Sequence, residues 1–151
     1  VTQTPLIFVT LKYPPLIVMD TGVIVAYYSA DDKYHTEVRR FFERCTSQVI
    51  TTVACVTEAM YLLAADWRVQ NQFLLHVSNG IFNCEHLTAQ DFIRITELNA
   101  QYADLPGDFA DLALVAISER LDIGAIATLD KDFDIYRRYR KQTFERVFLP
   151  S

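Results

Sequence analysis

The stretch PLIVMDTGVIVAYYSADDKYH, Pro15 to His35, decides the fold. Its first part, Leu16-Ile17-Val18-Met19, is a continuous apolar run, the pattern of a strand buried on both faces. The run ends abruptly on a carboxylate, Asp20, and Thr21-Gly22 leads into a second apolar segment. An acid between two segments that both want burial marks a strand end opening onto something charged.

Working outward, the same alternation repeats. VIVAYY reads as a short apolar helix. KYHTEVRRFFERC sets Val38, Phe41 and Phe42 on one helical face with charges opposite. QVITT is a short strand, and VACVTEAMYLLAAD and VQNQFLLHVSN are helices, the second with Gly80 as its stop. IFNCEHL returns to strand. TAQDFIRITELNAQYAD is amphipathic with Thr88 as its N-cap. Pro106-Gly107 breaks the chain before the strongly apolar helix DFADLALVAISERL. GAIATLD is then a buried strand that again ends on an acid, and FERVFL is the last strand. Short apolar strands alternating with helices indicate an α/β fold with a mostly parallel sheet covered on both faces.

With 151 residues, few glycines or prolines and 51% hydrophobic residues, the chain is expected to form a single domain, residues 16–151, after an extension, residues 1–15, of uncertain role. Lys12, the Pro14-Pro15 pair and Asp20 interrupt the early apolar stretch, so no membrane span is expected, and no basic segment suggests a signal peptide. Cys45, Cys55 and Cys84 show no paired spacing and read as reduced core thiols of a cytoplasmic protein. Cys84-Glu85-His86 has no second half to complete a zinc site. The net charge of −5 opposes nucleic-acid binding on its face, yet six bases against three acids fall between Lys131 and Arg146. Such a strip is either a solvated surface or a phosphate contact.

The acids carry the chemistry. Asp20 and Asp130 each end a strand, and ligand sites of open α/β sheets lie beyond the carboxyl ends of strands. Glu58 interrupts an apolar helix and is either an exposed helical Glu or a cleft acid. Asp108 and Asp111, spaced i and i+3 at a helix start, are either a cap and a first-turn acid or two carboxylates aimed into a cleft. Each has an ordinary explanation singly. Together they need a common counter-charge, and no Lys or Arg is embedded among them. All-oxygen ligation favours Mg²⁺ or Mn²⁺.

IVMDTG with Asp20, TEAMYLL with Glu58, LPGDFADLALVAISERL with Asp111 and IATLDKDF with Asp130 resemble the PIN-domain ribonucleases, and within them the VapC-type toxins of bacterial toxin–antitoxin pairs. The resemblance runs from about Leu16 to Leu149, although about fifteen residues precede the first strand where such toxins usually have one or two. It implies a three-layer α/β sandwich with a central, mostly parallel sheet of about four to five strands. It further implies a metal-dependent endoribonuclease that leaves 5′-phosphate and 3′-hydroxyl ends. Asp20, Glu58, Asp111 and Asp130 match the acidic metal-holding and catalytic positions, with Asp108 as a further acid and Thr21 and Thr128 in support. Lys131, Arg137, Arg138 and Arg140 are candidate RNA contacts, and Tyr136 and Tyr139 lie between them. The implied partners are an RNA substrate, a cognate antitoxin and a second copy of the chain.

Other readings remain at this stage. One is a PIN-like binding module without catalysis, another an RNA-processing nuclease outside a toxin–antitoxin pair. Phosphotransfer folds also place Asp at strand ends, but a haloacid-dehalogenase-type phosphatase needs an Asp where Gly22 stands, and Asp31-Asp32 come too late for a receiver.

Overall fold

The structure, a computed structural model, describes residues 13–105, 107–139 and 141–150. Residues 1–12 of the expected extension, the Pro106 break and the RNA-contact candidate Arg140 lie outside them. Five parallel strands form one sheet: β1 (Leu16–Met19), β2 (Gln48–Thr52), β3 (Phe82–Glu85), β4 (Ala125–Ala127) and β5 (Glu145–Phe148). Among the described residues six α-helices complete a three-layer α/β sandwich: α1 (Thr21–Tyr28), α2 (His35–Arg44), α3 (Val53–Leu62), α4 (Trp67–Ser78), α5 (Ala89–Gln101) and α6 (Phe109–Arg120).

The spatial order is β3-β2-β1-β4-β5. The chain builds outward from β1 to β3, then crosses back through α5 and α6 to lay β4 on the other side of β1. That reversal between β1 and β4 is the switch point at which parallel sheets open a crevice. Asp20 leaves β1 at this point, its N–H donating to the Ala127 carbonyl at 3.0 Å.

The core explains why these segments fold as they do. Ile17, Val18, Met19, Ile126 and Ala127 are fully buried, as strands covered on both faces require. On α2, Val38 and Phe41 are buried and Phe42 packs on the rings of Tyr27 and Phe82. Helix α4 buries Phe73 against Tyr28 and Phe82, and ends where Gly80 takes φ +81°, a conformation that favours glycine. Thr88 and Asp91 form a reciprocal capping box at the start of α5. Helix α6 is buried continuously from Ala110 to Glu119, so it runs through the middle of the molecule and carries whatever precedes Ala110 to the sheet.

Three expectations need adjustment. The strand read through Asp130 stops at Ala127, because Thr128 turns its hydroxyl to Asp20 and the chain leaves the ladder. Of the three free cysteines only Cys55 is buried; Cys84 is exposed on β3, an edge strand. Residues 13–15 of the extension are docked on the domain, with the Tyr13 ring against Phe41 and the Pro15 carbonyl accepting from Gln48 N–H at 2.8 Å. Among the described residues no helix is long and apolar enough to cross a membrane.

Candidate metal centre

Three N-termini converge at the switch point. Asp20 caps α1, its Oδ1 accepting from Thr21 N–H at 2.7 Å. Asp108 caps α6 by accepting from Asp111 N–H at 2.9 Å. Asp130 caps a short 3₁₀ turn, Lys131–Asp134, by accepting from Asp132 N–H at 2.9 Å. The capping reading of Asp108 is therefore correct, and it is also what places Asp111, one turn on, in the cleft.

The cleft, about 310 Å³, is bordered by Asp20, Glu58, Asp108, Asp111 and Asp130. Carboxylate oxygens of Asp20, Asp111 and Asp130 lie within 4.8 Å of one another, the one such acid group among the described residues. Glu58 joins from α3, half-buried, its Oε1 accepting from the Thr21 hydroxyl at 2.9 Å. The Thr128 hydroxyl donates to Asp20 Oδ2 at 2.9 Å and accepts from Asp130 N–H at 2.9 Å, fixing two acids with one oxygen.

The electrostatics are adverse without a cation. Burial pushes Asp111 up to about 8, with the charges of Asp20, Asp108, Asp130 and Glu58 adding to it. Burial likewise raises Asp20 to about 6, against the opposing hydrogen bonds from Thr128 and Thr21. Glu58 is raised by burial and by Asp108, against its bond from Thr21. Two carboxylates 4 Å apart repel by about 4 kcal/mol at an effective dielectric near 20, whereas a helix N-terminus returns only about 0.3–1 kcal/mol. The converging N-termini cannot offset three acids. None of the ion pairs found among the described residues involves Asp20, Glu58, Asp108, Asp111 or Asp130. An all-carboxylate donor set of this spacing fits a hard divalent cation, Mg²⁺ or Mn²⁺, and does not resemble the sulfur and nitrogen sets of zinc.

The basic candidates separate. Lys131 is exposed beside Asp130 in the chain. Arg137 is half-buried and spends Nη1 on the carbonyls of Asp134, Ile135 and Tyr136, at 2.6, 2.9 and 3.1 Å. Arg138 is buried and lines a cleft at the amino ends of β1, β4 and β5, opposite the acids. It is misplaced as an RNA contact at the acid cleft, because the antiparallel bridge to Gln142 folds it back under the sheet. Tyr136 is fully buried, so it stacks on no base; instead its hydroxyl approaches Asp111 Oδ2 at 3.5 Å.

Two contributors were not anticipated. Gly107 lies so close to Tyr136 that a Cβ there would sit 2.0 Å from the hydroxyl, so only glycine lets the ring reach Asp111. Arg146, on β5, donates Nη2 to the Thr128 carbonyl at 3.1 Å and Nη1 to Asp134 Oδ2 at 3.2 Å, clamping the loop that carries Asp130. Neither had a signal in the sequence beyond a turn glycine and one basic residue in a strip.

A family model for the PIN domain matches residues 17–139. The chain belongs to the PIN-domain family. Its fold is similar to that of VapC20 from Mycobacterium tuberculosis, a sarcin-ricin loop cleaving toxin. That match has 21% identity and a TM-score of 0.73, and covers 79% of this chain and 93% of that one. It is also similar to VapBC2 from Rickettsia felis, solved bound to a DNA fragment from their promoter, at 13% identity and a TM-score of 0.61 over 87% and 98% of the two chains. No curated protein matches the sequence. In this PIN domain the acid cleft falls at the switch point of the sheet.

Proposed function

We propose that this PIN domain is a Mg²⁺- or Mn²⁺-dependent endoribonuclease and the toxin of a toxin–antitoxin pair. The observation that carries the reading is the cluster of Asp20, Asp111 and Asp130, with oxygens within 4.8 Å and two of the acids raised by burial and by the neighbouring carboxylates. Asp20, Asp111 and Asp130 would hold the metal, with Glu58 and Asp108 completing the acidic wall. A divalent ion there supplies Lewis-acid activation of water and neutralises charge on the scissile phosphate.

The chain's own residues supply position. Thr128 and the Thr21 N–H hold Asp20 in one rotamer, and the Thr21 hydroxyl does the same for Glu58. Asp108 fixes the first turn of α6 and thereby Asp111. Metal-free, the acids repel a phosphate backbone, so substrate binding and metal loading are coupled. Lys131, exposed and next to Asp130 in the chain, is the candidate for a phosphate contact, which contributes affinity without sequence choice.

The antitoxin part of the reading is supported by an apolar groove of about 410 Å³ that shares Glu58 and Asp108 with the acid cleft and is lined by Val53, Ala54 and Phe109. Val53 and Phe109, which line it, are substantially exposed, as are Tyr61 and Leu62 at the end of α3. A contiguous apolar surface next to a catalytic cleft suits a protein partner or a second copy of the chain.

The test is cleavage of a mixed tRNA and ribosomal RNA pool with Mn²⁺, Mg²⁺ or EDTA, beside Asp20→Asn and Asp111→Asn proteins purified identically. Discrete metal-dependent products from the wild type alone establish the nuclease. Cutting that persists in both variants removes this site assignment, and no cutting by folded wild type favours a binding module.

A further inference from the structure

Three of the acids bordering the cleft each meet one hydroxyl. The Thr128 hydroxyl donates to Asp20 and the Thr21 hydroxyl to Glu58, both at 2.9 Å, and the Tyr136 hydroxyl approaches Asp111 Oδ2 at 3.5 Å. The two threonines stand beside the acids in the chain. Tyr136 comes from outside the cleft, through the core.

Its ring is fully buried, with Tyr102 and Phe133 edge-on at 5.1 Å. The Tyr136 N–H donates to the Asp132 carbonyl at 3.0 Å, which seats the residue just after the 3₁₀ turn that Asp130 caps. One short segment therefore carries both Asp130 and the hydroxyl aimed at Asp111. That hydroxyl has no other hydrogen-bond partner among the described residues. Burial, with the charges of Asp111, Asp132, Asp130 and Asp108, holds the phenol above its ordinary range, so it stays a donor.

Gly107 makes the approach possible. A Cβ there would lie 2.0 Å from the hydroxyl oxygen but 3.2 Å from the ring carbon that bears it. Gly107 has no positive φ, so this glycine answers to the hydroxyl and not to the backbone. A contact of 3.5 Å is long for a hydrogen bond. It gains strength when Asp111 ionises, as a metal ligand must, because bonds to a charged acceptor are the shorter and stronger ones.

We infer that Tyr136 is the positioning residue of Asp111, its hydroxyl holding Oδ2 so that the carboxylate keeps one orientation toward a divalent cation; the inference rests on the metal reading proposed above. Gly107 is its counterpart, the gap through which the hydroxyl reaches the acid.

The test is Mn²⁺ titration by calorimetry beside urea denaturation in EDTA, on the wild type, Tyr136→Phe, Gly107→Ala and the double change. Tyr136→Phe keeps the ring and its packing. It should weaken Mn²⁺ binding roughly ten-fold and leave the urea midpoint in place, a split that a ring merely filling the core would not produce. Gly107→Ala displaces the hydroxyl and should weaken Mn²⁺ binding about as much while lowering the midpoint. In the double change the midpoint should recover and the affinity should fall no further than in Tyr136→Phe, since no hydroxyl is left to displace. If Gly107→Ala does not fold, Tyr136→Phe and the double change decide. Wild-type Mn²⁺ affinity in Tyr136→Phe overturns the inference and leaves the metal reading standing. A further loss of affinity in the double change assigns the effect to the entry of α6 and overturns it too. A wild type that takes up no Mn²⁺ overturns the metal reading, and this role with it.

Discussion

Helix α6 carries a buried acid at each end, and the two are treated oppositely. At its start, Asp111 has no ion-pair partner among the described residues and is pushed by burial up to about 8. Near its end, Glu119 accepts from Arg94 Nε and Nη2 at 2.8 and 3.0 Å and from Tyr139 N–H at 2.6 Å. Asp91, packed nearby on α5, is held below the usual carboxylate range by hydrogen bonds from the Thr88 backbone and Arg120 that outweigh its burial. The chain can pair a buried carboxylate when structure requires it. That Asp20, Asp111 and Asp130 share one cleft without an ion pair among the described residues is what the proposed metal site would require.

Breaking the unpaired end should have the largest effect, on activity. Asp20→Asn or Asp111→Asn is expected to lower metal-dependent RNA cleavage at least about a thousand-fold, roughly 4 kcal/mol, while the protein stays folded by circular dichroism. Wild-type rates in either variant would sever the cluster from catalysis.

Breaking the paired end should act on stability instead. Arg94→Met leaves Glu119 buried without its cation and should cost about 3 kcal/mol in urea denaturation, with the double change Arg94→Met/Glu119→Met recovering part of it. A loss below about 0.5 kcal/mol would show that the ion pair is structurally idle.

The comparison sharpens with pH. Asp111 and Asp20 are raised to about 8 and about 6 from an ordinary 3.8, so the metal-free fold holds protons that the unfolded chain releases. Their contribution is fully present below about pH 4 and is lost as pH rises through about 6 and then about 8. The urea midpoint in EDTA should therefore fall between pH 5 and 9 by the equivalent of about 2 kcal/mol, allowing for solvent screening. Asp111→Asn should flatten that slope, and saturating Mn²⁺ should reverse it. A midpoint that rises with pH in EDTA would contradict the raised values.

The smallest effect is expected behind the cluster. Thr128→Val removes the hydroxyl shared by Asp20 and Asp130 and should weaken Mn²⁺ binding about ten-fold, as loss of a group orienting metal ligands does. Calorimetric Mn²⁺ titration would expose an unchanged affinity.

Much of the architecture was legible because burial leaves a direct mark on residue type. Apolar runs such as LIVM and the long helix after Asp108 are readable as core, and Thr88 is readable as a cap because the interaction spans three residues. The acids were legible as interruptions of those runs. What was not legible depends on side chains whose partners are remote in sequence. Arg137, Arg138 and Arg146 look alike in a basic strip, yet one wraps its own loop, one lies under the sheet and one clamps Thr128 across the β4–β5 pair.

The sequence by itself determined that one acid ends an apolar strand, another follows closely on a second and a third lies in the first turn of a buried helix, because a carboxylate in an apolar run is costly enough to be visible locally. Only the tertiary structure decided that Asp20, Asp111 and Asp130 share one cleft. Their meeting depends on the strand order reversing between β1 and β4, and that order is set by which faces the helices cover.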